Sequence, residues 1–495
     1  MNRLKALLNN RWFFPMLLFY YGVFYIFFGE TYTKILSTDG VIFFAFVSDI
    51  KNSGYFDTYY IYRILPSLIV RFFLKVFSVT PALEHVLVAF QILNLICLTI
   101  ACFFFKKILL LLKITFKNQI LAFTLFLFNF AIIKLPLYLP VMTDTVALTL
   151  SILLLYFHLK HNTTGLVICT LLLAFTWPMG YYQGLLFIAF PFSITPYKMP
   201  SQRQKAILYS GAVLFILVLI SLYIFIQQKD TEIYFVAKIN RTLLPLSIIG
   251  ISLMFFFFAK LFSNKTLLTV ELFRKKIKFQ NLFLAIGIFV LVYIGIHIAN
   301  PIKTPLYTTE QMLRDPIVHS LIWPFLNIVA DTTYLGLVVC LLILFWNNFS
   351  KVVSQMGWGL VGAIGLNLFL FGITPQSRHL INLLPWLIVF LVKGINKYSF
   401  STSFYIVVGL LSIFVSKVWL LLNNFEAYPP MQLDKNGSMG FPHQKLWMHI
   451  GPWMSEQMYL IQGSIMFTIL AILFCILYKV KLNTENKWQV IARYK

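Results

Sequence analysis

Acidic residues are scarce in this chain. It has 16 Asp and Glu against 40 Lys and Arg in 495 residues, and all charged residues together make up 11%. Soluble domains carry about 25% charged and roughly 45–50% apolar residues. Here 60% are hydrophobic and 18% aromatic, which excludes an ordinary soluble domain. The five cysteines, Cys97, Cys102, Cys169, Cys340 and Cys475, all sit in apolar runs and form no CxxC pair. That argues against a disulfide framework or a zinc site. Walker A, HExxH and GxSxG patterns are missing, so nucleotide-driven, zincin and serine-hydrolase chemistries lose support. No Asp-Asp, Asp-Glu or Asp-x-Asp pair occurs. The nearest pattern, Asp230-Thr231-Glu232 beside Lys229, reads as solvated surface. The first apolar run, Trp12 to Phe28, lacks a small-residue cleavage site and is expected to be retained.

What the chain has is apolar length. About fourteen runs are long enough to cross, or nearly cross, a bilayer. They fall at roughly 12–28, 83–105, 118–135, 141–157, 164–177, 180–196, 206–226, 243–262, 281–299, 333–349, 357–373, 380–392, 404–422 and 460–478. Residues 164–196 also read as one broken span. Ile317 to Ala330, interrupted by His319 and Pro324, reads as re-entrant or interfacial. The expected fold class is all-α: a polytopic transmembrane helix bundle of about 14 spans (range 11–14), forming one integral-membrane domain over 1–495.

Basic residues set orientation. With the N-terminus inside, about 25 of the 40 Lys and Arg fall on one side, whereas about 14 of the 16 acids fall on the other. Both termini are therefore expected in the cytoplasm, most simply of a bacterial inner or plasma membrane. The net charge of +24 reads as an anchor to anionic membrane lipid rather than to nucleic acid. The acids collect on the outer face, and the working site is expected there.

The first outer loop, Gly29–Ala82, gathers Glu30, Asp39, Asp49 and Asp57. Asp39-Gly40 is a turn signal followed by the apolar run Val41 to Val47. From Leu65 the pattern is helical, with Pro66 tolerable in the first turn. Arg63, Ser67, Arg71 and Lys75 recur every fourth residue as one polar stripe, the mark of an interfacial helix with a cationic edge.

Asp39 is the candidate general base, since such a base needs a carboxylate in a partly dry pocket within reach of the nucleophile. The bland alternative is a turn residue. Asp49 and Asp57 are weaker candidates, and Asp57 also reads as a helix cap. Asp144 stands four residues after Pro140 at the outer end of a span. A lone carboxylate there must face protein or water, so it caps its helix, holds the first loop or binds substrate. Arg378-His379 precedes the span 380–392. An arginine fork grips phosphate oxygens; the alternative is an arginine snorkelling to the headgroups. The last outer loop, 423–459, carries His443, Lys445, His449 and Glu456, whose spacing fits no zinc motif. It reads as an acceptor or lid loop. His158 and His161 read as cytoplasmic surface residues.

Four features together resemble the GT-C superfamily of integral-membrane glycosyltransferases. They are Asp39 in the first loop, the wording Tyr62-Arg63-Ile64-Leu65-Pro66, the Pro140-x-x-x-Asp144 loop, and Arg378-His379 ahead of Leu384-Pro385. The resemblance implies a polyprenyl-phosphate-linked sugar donor, used on the outer or lumenal face, and a glycan, lipid or protein acceptor. It implies Asp39 as catalytic acid residue and Arg378 as donor-phosphate ligand, with Arg63 and His379 as further phosphate ligands. Asp144, Asp57 and Tyr62 would support the substrate. The chain departs from the better-marked subfamilies in lacking a paired acidic motif, so no cofactor is expected with certainty and dependence on a divalent metal stays open. Two other classes remain. One is an O-antigen ligase or polymerase type of transferase, with its chemistry on His443 and His449. The other is a transporter or flippase.

Overall fold

A computed structural model describes residues 10, 12–29, 31, 39–49, 58–202, 204–205, 209, 211, 213, 216, 240, 242–267, 278–299, 317–372, 374–420, 447–448, 450–477 and 481–482. In chain order the helices are α1 (Phe13–Phe28), α2 (Gly40–Ser48), α3 (Leu65–Val76), α4 (Leu83–Leu111), α5 (Phe116–Leu127), α6 (Asp144–Leu159), α7 (Thr163–Ala174) and α8 (Pro178–Ala189). Then come α9 (Leu244–Ala259), α10 (Phe279–Ala299), α11 (Leu326–Leu335), α12 (Val338–Gln355), α13 (Trp358–Phe371), α14 (Leu384–Ile395), α15 (Thr402–Ser416) and α16 (Glu456–Leu477). Among the described residues the one sheet is a two-residue antiparallel pair, Tyr398–Ser399 with Lys481–Leu482.

Among the described residues five helices are long and apolar enough to cross a membrane: α4, α9 with its extension to Phe262, α10, α12 and α16. There are six if α5 and the turns Phe130–Tyr138 form one span bent by 67°. Six shorter apolar helices, α1, α6, α7, α13, α14 and α15, run 10–17 residues. A 12-residue helix is about 18 Å long, well short of a hydrocarbon core of roughly 30 Å. The expectation of about 14 spans thus holds in its coarser part, an all-helical chain with five or six helices of spanning length. The run at 206–226 lies largely outside the described residues. The 164–196 segment is a helical hairpin rather than one broken span. A Cβ at Gly180 would sit 2.7 Å from Leu173, and one at Gly184 2.2 Å from Thr170, so α7 and α8 run antiparallel in close contact.

Segments that share a charge sign in the sequence also meet in space. At one end Asn396 accepts hydrogen bonds from Thr115 N and Asn118 Nδ2, and Lys393 donates to Leu112 O. Thr195 N donates to Gln355 O, Asn264 Nδ2 to Ser354 O, and the strand pair adds 481–482. This is the basic end. At the opposite end Leu65 N donates to Phe175 O, Gly451 N to Pro375 O, and Tyr459 OH to Pro324 O. The acidic candidates lie here. Between the two ends runs α14, buried along nearly its whole length, with Trp386 Nε1 bonded to Ser151 O of α6. On the outside, α10 exposes Phe279, Phe283, Leu291 and Ile298, the apolar surface of a helix that faces lipid.

One expectation about this end needs correction and another holds. The Arg63–Lys75 stripe is not a continuous cationic edge. Arg63 precedes α3 and is buried, and Ser67 is buried with Val70 and Leu74 on the inner face. Leu68, Phe72, Phe73 and Val76 are exposed with Lys75, while Arg71 turns to Phe46 O of α2. The polar stripe thus runs from the protein interior at Arg63 outward to Lys75, beside an exposed apolar flank. The Ile317–Ala330 run does break, between residues 321 and 326, where Phe325 adopts a left-handed φ of 56° just after Pro324.

Candidate functional site

Three residues from distant parts of the chain meet at the acidic end. Asp39 caps α2 through its backbone carbonyl, which accepts from Phe43 N, while its carboxylate makes no capping bond and faces Arg378. Asp144 is the first residue of α6. The loop before it is pinned by Asn94 of α4, whose Nδ2 donates to Pro136 O (2.8 Å) and Pro140 O (2.9 Å). Arg378 sits on the one-turn helix Ser377–Leu380, which leads into the buried α14. Its Nε donates to Asp144 Oδ1 at 3.2 Å, and its Nη1 lies 3.6 Å from Asp39 Oδ2. Burial alone would lower the Arg378 pKa. Asp144 and then Asp39 outweigh it and push it up, so this guanidinium stays charged. The side chains of Arg378 and Asp144 are 12% and 10% exposed, that of Asp39 26%. Asp39 is the member a substrate reaches most easily.

Arg63 lies beside this triad and differs from Arg378. Its guanidinium carbon stands 4.3 Å from the Tyr59 ring and 4.8 Å from the Trp177 ring, a cation between two aromatic faces. It is 5% exposed, and its Nε has no hydrogen-bond partner among the described residues. Among the described residues no carboxylate pairs with it. His379 completes the layer, edge-on to Trp177 and Phe371. Burial, with Arg63 and Arg378 nearby, lowers its pKa to about 3, which favours the neutral ring. Burial raises the Tyr59 pKa, and Arg63 pulls it back in part.

Two further residues belong to this place. Asp331 of α11 is buried, which raises its pKa to about 8, with Ser377 partly opposing the rise. Tyr334, one turn further on, is fully buried within the field of Asp144 and Arg378. The signal for Asp331 was present in the sequence: like Asp144, it is a lone carboxylate after an apolar stretch, here Ile328-Val329-Ala330.

The other candidates stand apart. Tyr62 lies near Tyr182 and Tyr293. Asp49 closes α2 and is exposed. Asp57, His443, Lys445 and His449 lie outside the described residues, and Glu456 is exposed at the start of α16. His158 is not a surface residue: it is 1% exposed and stacked on Phe187 at 3.8 Å. The apolar packing of α6 on α8 takes it in. Among the described residues no three His, Cys, Asp or Glu side chains converge as a metal site would require. No known family model, curated protein or solved structure matches the chain.

Proposed function

We propose that this protein is an integral-membrane glycosyltransferase that moves a sugar from a polyprenyl-phosphate donor to an acceptor hydroxyl, at the acidic end of the bundle. One observation carries it: a reachable carboxylate, Asp39, held by Arg378 in the same layer as a buried arginine, Arg63, that has no carboxylate partner among the described residues. Displacement at an anomeric carbon by a hydroxyl needs a base for the incoming proton and a countercharge for the leaving phosphate. Asp39 is placed for the first. Both acids already engage Arg378, so Arg63 is the better ligand for the phosphate, and Arg378 serves to position Asp39. Asp144 fixes that arginine from the other side. The phosphate leaves as a stable anion, so a dedicated general acid is unnecessary. The exposed apolar face of α3, beside Arg63, suits a donor whose tail stays in lipid.

A second reading has an observation in its favour. The 67° bend at 128–129 and the break at 322–325 are discontinuous helices near the charged layer, a feature of transporters. One experiment separates the two. Purified protein in nanodiscs is given a panel of radiolabelled polyprenyl-phosphate monosaccharides with lipid, glycan and peptide acceptors. Release of polyprenyl phosphate together with a labelled product supports the transferase. Movement of intact donor across a vesicle bilayer, with no bond broken, supports transport.

A further inference from the structure

The triad of Asp39, Arg378 and Asp144 borders a second group of polar atoms that the proposed chemistry leaves unused. Tyr334 OH, Thr143 Oγ1 and Asp144 Oδ2 are buried with no hydrogen-bond partner within the protein among the described residues, and the buried Asp331 carboxyl and Ser377 Oγ have no partner there beyond each other. They come from three elements. Asp331 and Tyr334 share one face of α11, three residues apart. Ser377 precedes Arg378, and Thr143 precedes Asp144. The field of Asp144 and Arg378 reaches Tyr334, and Ser377 lies against Asp331, so the group is one neighbourhood. Buried polar atoms with too few partners are costly, so a cluster of them marks a place built to meet something polar.

The donor and acceptor types say what that is. An anion would need a cation, and the arginine here is already engaged by two carboxylates. A metal ion would need ionised carboxylates, and Asp331 is the acid least able to ionise. What remains is three hydroxyls, a neutral carboxyl and one carboxylate oxygen, groups that both give and accept. Their match is a ligand that does the same through several closely spaced hydroxyls. We propose that Asp331, Tyr334 and Ser377, with Asp144 Oδ2, form a hydroxyl-recognition subsite for a sugar ring. The inference rests on the glycosyltransferase proposal only for the ring's identity as donor or acceptor sugar.

The neutral form of Asp331 gives the subsite a pH dependence. The charged or titratable side chains on the elements packed around α11 include Arg378 and His379 on the 377–380 turn, Lys134 after residues 130–133, Cys340 and Lys351 on α12, Tyr405 on α15, and Tyr459 and Cys475 on α16. Lys417 ends α15, where its Nζ donates to Thr333 O at 3.2 Å, and Glu456 starts α16; the 451–453 turn contributes none. No hydrogen bond or ion pair joins any of these to the Asp331 carboxyl among the described residues. As pH rises through about 8 the carboxyl loses its proton and, with it, its ability to donate.

The test is binding of free monosaccharides, glucose, galactose, mannose, arabinose and xylose, to the full-length protein in detergent. Thermal shift and equilibrium dialysis read it without any transfer reaction. Wild-type protein binds at least one of the five, and binding weakens several-fold between pH 7 and pH 9. Asp331→Asn keeps a neutral donor, so it binds within about threefold of wild type and loses that pH dependence. Ser377→Ala and Tyr334→Phe each weaken binding by about tenfold, the effect of one lost hydrogen bond to a buried group. These two small deletions serve where Asp331→Leu fails to fold. Absence of binding by all five sugars overturns the subsite, as does unchanged binding in Ser377→Ala and Tyr334→Phe, which would leave water as the partner of these atoms. Sugar binding that depends on Ser377 and Tyr334, in a protein that transfers no sugar in the donor panel, keeps the subsite and removes the transferase.

Discussion

Arg378 Nε lies 3.2 Å from Asp144 Oδ1 across 234 residues of sequence, and the same guanidinium reaches Asp39 in the first loop. Three loops that are remote in the chain are thereby held in one layer. A single buried arginine with two acids is strongly coupled, because removal of one partner strands the others.

That coupling fixes an order of stabilities. Asp144→Asn removes the closer and more buried carboxylate and is expected to cost about 3 kcal/mol. Asp39→Asn acts on a longer, more exposed contact and is expected to cost about 1 kcal/mol or less. Thermal unfolding in detergent checks it. Equal costs would show that Asp144 does not anchor Arg378.

Arg63 is expected to govern donor affinity. Arg63→Ala removes the guanidinium and should raise the donor KM about tenfold or more, with a smaller change in acceptor KM. Arg63→Lys keeps charge but loses the planar group between Tyr59 and Trp177, so it restores affinity only in part. The two KM values, measured with each substrate varied in turn, decide this. An equal rise in both would place Arg63 in a general structural role.

The acidic end is also fastened by a glycine. Gly451 N donates to Pro375 O at 3.0 Å, and a Cβ at 451 would lie 2.4 Å from Ala330 Cβ and 2.5 Å from Pro375 O. Backbone cannot yield as a side-chain tip can. Gly451→Ala should destabilise by about 1–3 kcal/mol. It should also lower activity by displacing the turn that carries Arg378. Wild-type melting and turnover in this variant would show that the 447–455 segment does not position the site.

Two buried groups should give stability opposite dependences on pH. The His379 folded pKa of about 3 lies below its usual value of about 6.5. Between these values the unfolded chain binds the extra proton, so this contribution is lost as pH falls from about 6.5 towards 3. The Asp331 folded pKa of about 8 lies above its usual value of about 3.9. There the folded chain holds the extra proton, so stability is lost as pH rises from about 4 to 8. Unfolding of His379→Gln and Asp331→Asn against wild type, from pH 4 to 8.5, should show differences of opposite slope. A pH-independent difference in either case means that the group titrates normally.

Much of the site was legible because charge is so rare in this chain. Asp39, Asp144, Arg63, Arg378 and His379 stand out against apolar surroundings, and the structure brings all five to one end of the bundle. Their pairing was not legible. Arg378 looked free for phosphate, yet two carboxylates 234 and 339 positions away occupy it, and sequence spacing carries no such contact. Asp331 was passed over because Pro324 and His319 made its segment look like a loop. His158 was misplaced because proximity to Lys160 suggested a surface, whereas helix packing on Phe187 decides its burial. Spans were countable from apolar runs only in part, since helices of 12–16 residues satisfy the pattern without the length.

The most direct test of the glycosyltransferase proposal is single-turnover transfer by Asp39→Asn, assayed with whichever labelled polyprenyl-phosphate sugar the wild type consumes. The substitution keeps shape and removes the base. The variant should fold, bind donor with near-wild-type affinity, and transfer about 10²-fold or more slowly, the usual contribution of positioned proton transfer. Transfer at the wild-type rate would contradict the assignment of Asp39 as the base and remove the chemical basis for the site.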